Sequence, residues 1–418
     1  MSIMPPCSMT SRPSEDVFEP MMLALALATT LIQQTLSYMA MIVVPVAAPE
    51  LAKVMDADIG WVGYYSAILF SIASLFMLFS GGLIRRYGAT RMSQIALIGA
   101  GIGLAMGITG DIWAVALGAV MIGVTSAFST PSSSDILARF APPKHAALVF
   151  SIKQTGVPLG GILAGLLVPF LLINFGWQGI FYGTSSVCLF LAALLQVTRH
   201  LFDTNRDPDH SIRVTQAYLT LKGIVTRAPF RRLGYTVFAY CGLQGAFSTF
   251  FVAFLVAELG YSLVAAGAIF AISQIASVFA RILWGWVVGL VGSVRPVLSA
   301  LGLSMAGIAA TISLMVPGWS ETLVTLVAIA YSATALSWHG VVLAAIANRS
   351  KPEEVAINTG GVLAFAAGGQ FVYPAVIGGI LGAGMSFGFG FALAALPALA
   401  VGIMFLVREI NQRCQAKT

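Results

Sequence analysis

Twelve predominantly apolar runs, joined mostly by links too short to hold a polar shell, constrain the fold of this chain more than any other feature. A helix needs roughly 17–25 mostly apolar residues to cross the hydrocarbon of a bilayer. Such runs fall near 21–47, 57–82, 92–110, 112–139, 146–174 and 178–198, and again near 233–257, 264–290, 296–316, 321–346, 357–383 and 386–408. Charged residues make up 9% of the chain and hydrophobic ones 58%, whereas a soluble domain carries about 25% charged residues. Such a chain could not cover its own surface in water. The expected fold is an all-α integral membrane protein of about twelve transmembrane helices. Residues 21–198 and 233–408 are expected to form two six-helix bundles, with 199–232 as linker and 1–20 and 409–418 as tails.

Lys and Arg in short loops are retained on the cytoplasmic side. With the N-terminus inside, the inner loops receive Arg85, Arg86 and Arg91, then Arg139 and Lys144, the stretch from Arg199 to Arg232, Arg295, Arg349 and Lys351, and finally Arg408, Arg413 and Lys417. The outer loops receive only Lys53, beside Glu50, Asp56 and Asp58. Both termini are therefore expected in the cytoplasm, with the protein in the plasma (cell inner) membrane. The excess of 22 Lys+Arg over 16 Asp+Glu belongs to these flanks and implies no nucleic-acid partner. The first tail, with Glu15, Asp16 and Glu19, lacks the basic start and cleavage site of a signal peptide and is expected to stay attached. The linker reads as solvated, with a short amphipathic segment on the inner membrane face. Cys7, Cys188, Cys241 and Cys414 are dispersed, so neither a disulfide nor a metal site is expected.

Between spans two and three stands the segment Gly81 to Arg91, and between spans eight and nine the segment Gly285 to Arg295. Both follow the frame Gly-x6-Gly-x2-Arg, through Gly88 and Gly292. A parallel internal repeat of this kind places a substrate site near the midplane between halves. The chain resembles the major facilitator superfamily, whose inner-loop motif has these glycines and a basic end, and the resemblance extends over essentially the whole chain. Where that family usually has an aspartate, this sequence has Arg85 and Gly289, which departs from the family's inner-gate charge network. Asp135, one helical turn from Arg139, or one of Glu353-Glu354 could pair with Arg85 in its place; together with Arg139, Arg86 and the motif residues these acids form the expected gate. Lys153-Gln154-Thr155-Gly156-Val157-Pro158-Leu159-Gly160-Gly161 in span five corresponds to Tyr373-Pro374 and Gly378-Gly379 in span eleven. Small residues and prolines mark both as moving interfaces. Gly99, Gly101, Gly103 and Gly107 read as a helix-packing face rather than a dinucleotide loop, since no strand precedes them.

An ionisable residue inside the membrane costs about 2.5–3.5 kcal/mol on insertion scales and points to function. Two fall inside the expected spans: Lys153 in span five and Arg281 in span eight, each roughly 12 Å from the cytoplasmic edge. The resemblance implies that helices five and eight meet at the interface between halves. Two cations without a carboxylate imply that the substrate supplies the anion, and arginine grips a carboxylate or phosphate at two points. Phe279-Ala280-Arg281 followed by Gly285 also looks like the arginine helix of the monocarboxylate and oxalate branches, which implies that Arg281 binds substrate carboxylate. His339 is a candidate proton site, since histidine as a side chain titrates near neutral pH, or a neutral histidine bonded to a neighbouring helix. Gln33, Gln34, Tyr38, Tyr240, Gln244, Gln274, Tyr331, Gln370 and Tyr373 are candidate cavity liners; each could equally make an interhelical hydrogen bond worth about 0.6 kcal/mol. Arg281 and Lys153 could likewise be structural. The expectation is a monomeric secondary transporter of a small organic anion, proton-coupled and without a cofactor. An efflux antiporter for hydrophobic or cationic compounds and a transporter-like sensor without net flux remain alternatives. No ATP-binding loop and no nucleophile–base set speaks for a pump or an enzyme.

Overall fold

The computed structural model describes residues 15–77, 79–141, 146–204, 206–210, 222–347, 349–350 and 355–415. Cys7, Lys144, Lys351, Glu353, Glu354, Lys417 and most of the expected amphipathic linker segment lie outside these residues. The regular structure of the described residues is all helical, without strands. The first half comprises α1 (Glu15–Met55), α2 (Trp61–Met77), α3 (Ser80–Tyr87), α4 (Ala89–Ala105), α5 (Ile112–Ser126), α6 (Ser129–Phe140), α7 (Ala146–Gln154) and α8 (Gly156–Phe202). The second comprises α9 (Ala228–Ala257), α10 (Leu263–Val291), α11 (Val294–Ser313), α12 (Glu321–Ala335), α13 (His339–Ala347), α14 (Val355–Gly382) and α15 (Phe387–Gln415).

Among the described residues ten helical segments are long and apolar enough to cross a membrane, and α2 with α3, bent by 63°, makes an eleventh when the pair is counted as one span. α8 supplies the twelfth crossing. As a single rod its 47 residues would measure about 70 Å, more than twice the ~30 Å hydrocarbon core. Gly176, at φ 72°, breaks it, and the chain doubles back so that a Cβ at Gly183 would press on the Leu171 side chain.

Several boundaries differ from the hydropathy reading. α1 begins inside the expected first tail, while α8 and α15 run on past the apolar segments. At those two ends ion pairs of side chains one turn apart extend the helix: Arg199 with Asp203 at 3.7 Å and Arg413 with Glu409 at 3.0 Å. Span four divides into α5 and α6 because Pro131, in the first turn of α6, has a ring that crowds the carbonyl four residues back. Span ten divides at Leu336–Trp338, where the Ser337 hydroxyl donates to backbone carbonyls, Ser332 at 3.1 Å and Ser277 of α10 at 3.2 Å.

The repeat is visible in the backbone. Gly88 and Gly292 both take positive φ, 99° and 67°, the region a β-carbon disfavours. Each closes its helix by donating to the carbonyl four residues earlier, Ile84 at 2.8 Å and Val288 at 3.0 Å. Gly99 packs on Thr125, Gly103 on Ile122 and Gly107 on Phe181, the packing face expected of that glycine series.

The halves meet chiefly where α2 lies on α14, α8 on α10 and α1 on α9. Gly63 and Gly267 occupy the same offset ahead of Gly81 and Gly285, and both sit at these seams. A Cβ on Gly63 would strike the Pro374 carbonyl, and one on Gly267 the Gly165 carbonyl and the ring of Pro169. Both contacts lie toward the face away from the termini. At the opposite face, a Cβ on Gly81 or Gly285 would meet no neighbour within 4 Å among the described residues.

Candidate functional site

The site begins with a proline. Pro158 has no N–H to donate to the carbonyl of Gln154, four residues earlier, and the helix is interrupted at Thr155. The freed Gln154 carbonyl accepts a hydrogen bond from Arg281 Nη1 at 3.3 Å, joining α7 of the first half to α10 of the second. Arg281 Nε and Nη2 are buried and have no hydrogen-bond partner among the described residues. No carboxylate pairs with the guanidinium among those residues.

Other groups converge on this arginine. Tyr38 of α1 lies within its electrostatic range, and its hydroxyl is 3.3 Å from Ser248 Oγ of α9. Gln244 stands beside Tyr38, with its Oε1 buried and unpartnered. His339, at the start of α13, is also within electrostatic range of Arg281. Its ring stacks on Trp338 at 4.0 Å between centroids, and its Nδ1 is buried without a hydrogen-bond partner among the described residues. Ser337, bonded to the Ser277 carbonyl one turn from Arg281, holds this corner against α10. Gln274 of α10 has both amide atoms buried and unpartnered, and its side chain packs on Gly161. A bound molecule with one anionic end and polar substituents could satisfy these groups together.

Lys153 is placed differently. It is 1% exposed, and its Nζ lies 3.4 Å from the Thr130 carbonyl and 3.5 Å from Gln154 Oε1. Thr130 in turn donates to Gln34 Oε1 at 3.1 Å. The two cations thus flank Gln154, but the ammonium turns into the first half while the guanidinium faces the junction. Several candidate liners are wall elements in this state. The Tyr240 hydroxyl donates to the Leu298 carbonyl at 2.5 Å and the Tyr331 hydroxyl to that of Leu243 at 2.9 Å. Gln33 donates to Ser37 and Ser129 at 3.0 and 2.9 Å. The Tyr373 hydroxyl is buried and unpartnered, while its ring packs on Gly242. Gln370 packs its backbone on Gly245.

In the expected gate, Asp135 pairs with Arg139 at 3.5 Å. Arg85 is exposed and makes no ion pair among the described residues. Arg86 stacks over Tyr87, and Arg295 is bonded to Gln412. Asp203, which hydropathy could not single out, caps α4 from the end of α8: its carboxylate accepts from Thr90 N at 2.7 Å and Arg91 N at 3.1 Å. The acceptor role of the Gln154 carbonyl, Ser248 and the Tyr65 hydroxyl, unpartnered among the described residues, also escaped the sequence reading. The proline offset from Gln154 was the signal for the first.

Two helical halves, joined at glycine seams around buried polar groups, have the build of a polytopic membrane protein. The family model for the Major Facilitator Superfamily matches residues 30–342, and the chain belongs to that superfamily. No curated protein matches it. Among solved structures it is similar to a bacterial homolog of the human lysosomal transporter Spinster, inward-facing and unoccupied, at TM-score 0.69 and 16% identity over 95% of this chain and 96% of that one. It is also similar to a point mutant of the nucleoside transporter NupG, at TM-score 0.76 and 15% identity over 92% and 99% of the two chains. A POT family transporter in complex with 5-aminolevulinic acid matches at TM-score 0.70 and 13% identity over 92% and 95%. At these identities the likeness concerns the fold.

Proposed function

We propose that the protein carries a small carboxylate-bearing anion across the plasma membrane, as a monomer with both termini cytoplasmic, and that a proton accompanies it. The observation carrying this reading is Arg281, whose Nε and Nη2 are buried and unpartnered where the halves meet. A planar guanidinium presents parallel N–H donors that match a carboxylate. A buried donor left unpaired costs about 1–3 kcal/mol, more when charged, so an arriving carboxylate relieves that cost while its own charge is neutralised. Tyr38, Gln244 and His339 supply the polar contacts around it. His339, beside Arg281 with its Nδ1 buried and unpartnered among the described residues, is the proposed accessory proton site, taking up a proton only when the bound anion offsets the charge of Arg281. Lys153 contributes a second positive charge behind Gln154. The structural neighbour crystallised with 5-aminolevulinic acid, a carboxylate, is compatible with this chemistry in the fold.

Transport then proceeds by exchange of contacts between halves. The α8–α10 and α2–α14 seams part on one face as the segments around Gly81 and Gly285 close on the other. The test is thermal unfolding of the purified protein with mono- and dicarboxylates, phosphate esters, amino acids and lipophilic cations. A ligand at 100 times its Kd stabilises by about 2.7 kcal/mol. Carboxylates are expected to stabilise the wild type and not Arg281→Ala. Stabilisation by lipophilic cations, undiminished in that variant, would replace this reading with efflux of such compounds.

A further inference from the structure

The pseudo-symmetry of the two halves sets apart one corner of the second half, away from the proposed transport pathway. In the first half the N-terminus of α4 is closed by the Asp203 carboxylate, delivered from the end of the sixth crossing. The counterpart in the second half is the N-terminus of α11, met by the end of the twelfth crossing, α15. There the chain offers Gln412 in place of a capping carboxylate, and Gln412 is engaged by Arg295. No side chain among the described residues accepts from the Val294 or Arg295 N–H, the positions matching Thr90 and Arg91.

The surroundings are strongly basic. A groove of about 560 Å³ is lined by Gly292, Ser293, Val294, Arg295, Arg349, Glu409, Gln412 and Arg413. Among the described residues that line it the one carboxylate, Glu409, is held by Arg413 at 3.0 Å. Arg349, anchored on the Ala345 carbonyl at 2.7 Å, feels Arg295 and Arg232, and burial together with these neighbours pushes its guanidinium below the ordinary arginine range. Arg232 in turn has Arg231 and Arg408 beside it. Among the described residues, three arginines and one already paired acid therefore line a groove that includes the start of a helix, with Arg232 in electrostatic reach of Arg295 and Arg349, and Arg231 and Arg408 in reach of Arg232. Like charges so gathered repel one another, and a multivalent oxyanion relieves that repulsion.

We infer that the groove between Arg295, Arg349 and Arg413 binds a phosphate group, which takes the place that Asp203 fills in the other half. The groove lies on the face where the termini emerge, the face assigned to the cytoplasm, so both an anionic phospholipid headgroup and a soluble phosphate can reach it. Arginine forks suit the tetrahedral oxyanion, and the free N–H groups of α11 supply further donors.

The experiment measures thermal unfolding of the full chain in three settings: phosphatidylcholine nanodiscs, the same discs with added inorganic phosphate, and discs containing phosphatidylglycerol. Wild type is compared with Arg295→Gln with Arg349→Gln, and with Gln412→Glu. The wild type is expected to gain stability with phosphate or phosphatidylglycerol. The double variant is expected to bind at least about tenfold more weakly, as loss of charge-assisted contacts implies. Gln412→Glu, which supplies an internal carboxylate, should be more stable in phosphatidylcholine alone and no longer respond. A response to phosphatidylglycerol without one to inorganic phosphate assigns the site to the lipid headgroup, and a response to both assigns it to phosphate itself. No response of the wild type to either, or an undiminished response in the double variant, overturns the inference. Because Gln412→Glu removes no existing contact of the groove's arginines with the backbone, it keeps the test decisive if the double variant fails to fold.

Discussion

Gly165 and Gly267 face each other across the junction of the halves so closely that a β-carbon on either would strike the other's carbonyl oxygen. The contact is a feature of the state in which this face is shut. Overpacking a tight contact costs about 1–3 kcal/mol, and about 1.4 kcal/mol is a tenfold change in an equilibrium. Gly267→Ala is therefore expected to shift the population toward the state open on this face by roughly ten- to hundredfold. Labelling of a cysteine placed on α8 near this seam should speed up, and net uptake should fall. Unchanged labelling would mean that the seam stays shut throughout the cycle.

Arg281→Lys keeps the charge but loses the fork. Charge-assisted hydrogen bonds contribute about 1.5–3 kcal/mol, so uptake of the anion into proteoliposomes is expected to drop roughly ten- to hundredfold while the protein remains folded. Wild-type uptake by the lysine variant would show that point charge alone suffices.

Lys153 is buried against Thr130 and Gln154 without an acid paired to it among the described residues. A buried charge without an opposite partner carries a desolvation cost that an apolar chain of similar volume does not. Lys153→Met is thus expected to keep or raise the unfolding temperature while abolishing uptake. A large loss of stability would assign the lysine to the scaffold.

Asp203→Ala removes acceptors from Thr90 N and Arg91 N. Loss of a helix cap costs about 0.5–2 kcal/mol, so the unfolding temperature should fall by a few degrees with substrate affinity retained. Lost affinity at unchanged stability would mean that this corner serves the site.

Span count, repeat and the position of Arg281 were legible because each depends on local or periodic signals: hydropathy over a window, glycines at a fixed interval, a cation within an apolar run. The Gly63–Gly267 correspondence was present in the same frame, but its meaning required knowing which helices touch. The direction of the Lys153 side chain depends on a turn at Thr155, and the Asp203 cap joins residues more than a hundred positions apart. Such long-range choices leave no periodic mark. The helix breaks at Ala127–Phe128 and Leu336–Trp338 were hidden because uninterrupted apolar composition reads as one rod, whereas proline geometry and a hydroxyl competing for backbone carbonyls decide continuity.

The reversal at Gly176 leaves the fifth and sixth crossings without a slack connector. A tilt of the arm that bears Gly165 must drag the other arm with it, and that arm ends in the carboxylate clasping α4. Motion begun at the seam between halves is thereby delivered to the opposite rim of the first half as a lever stroke, with the third crossing as its load.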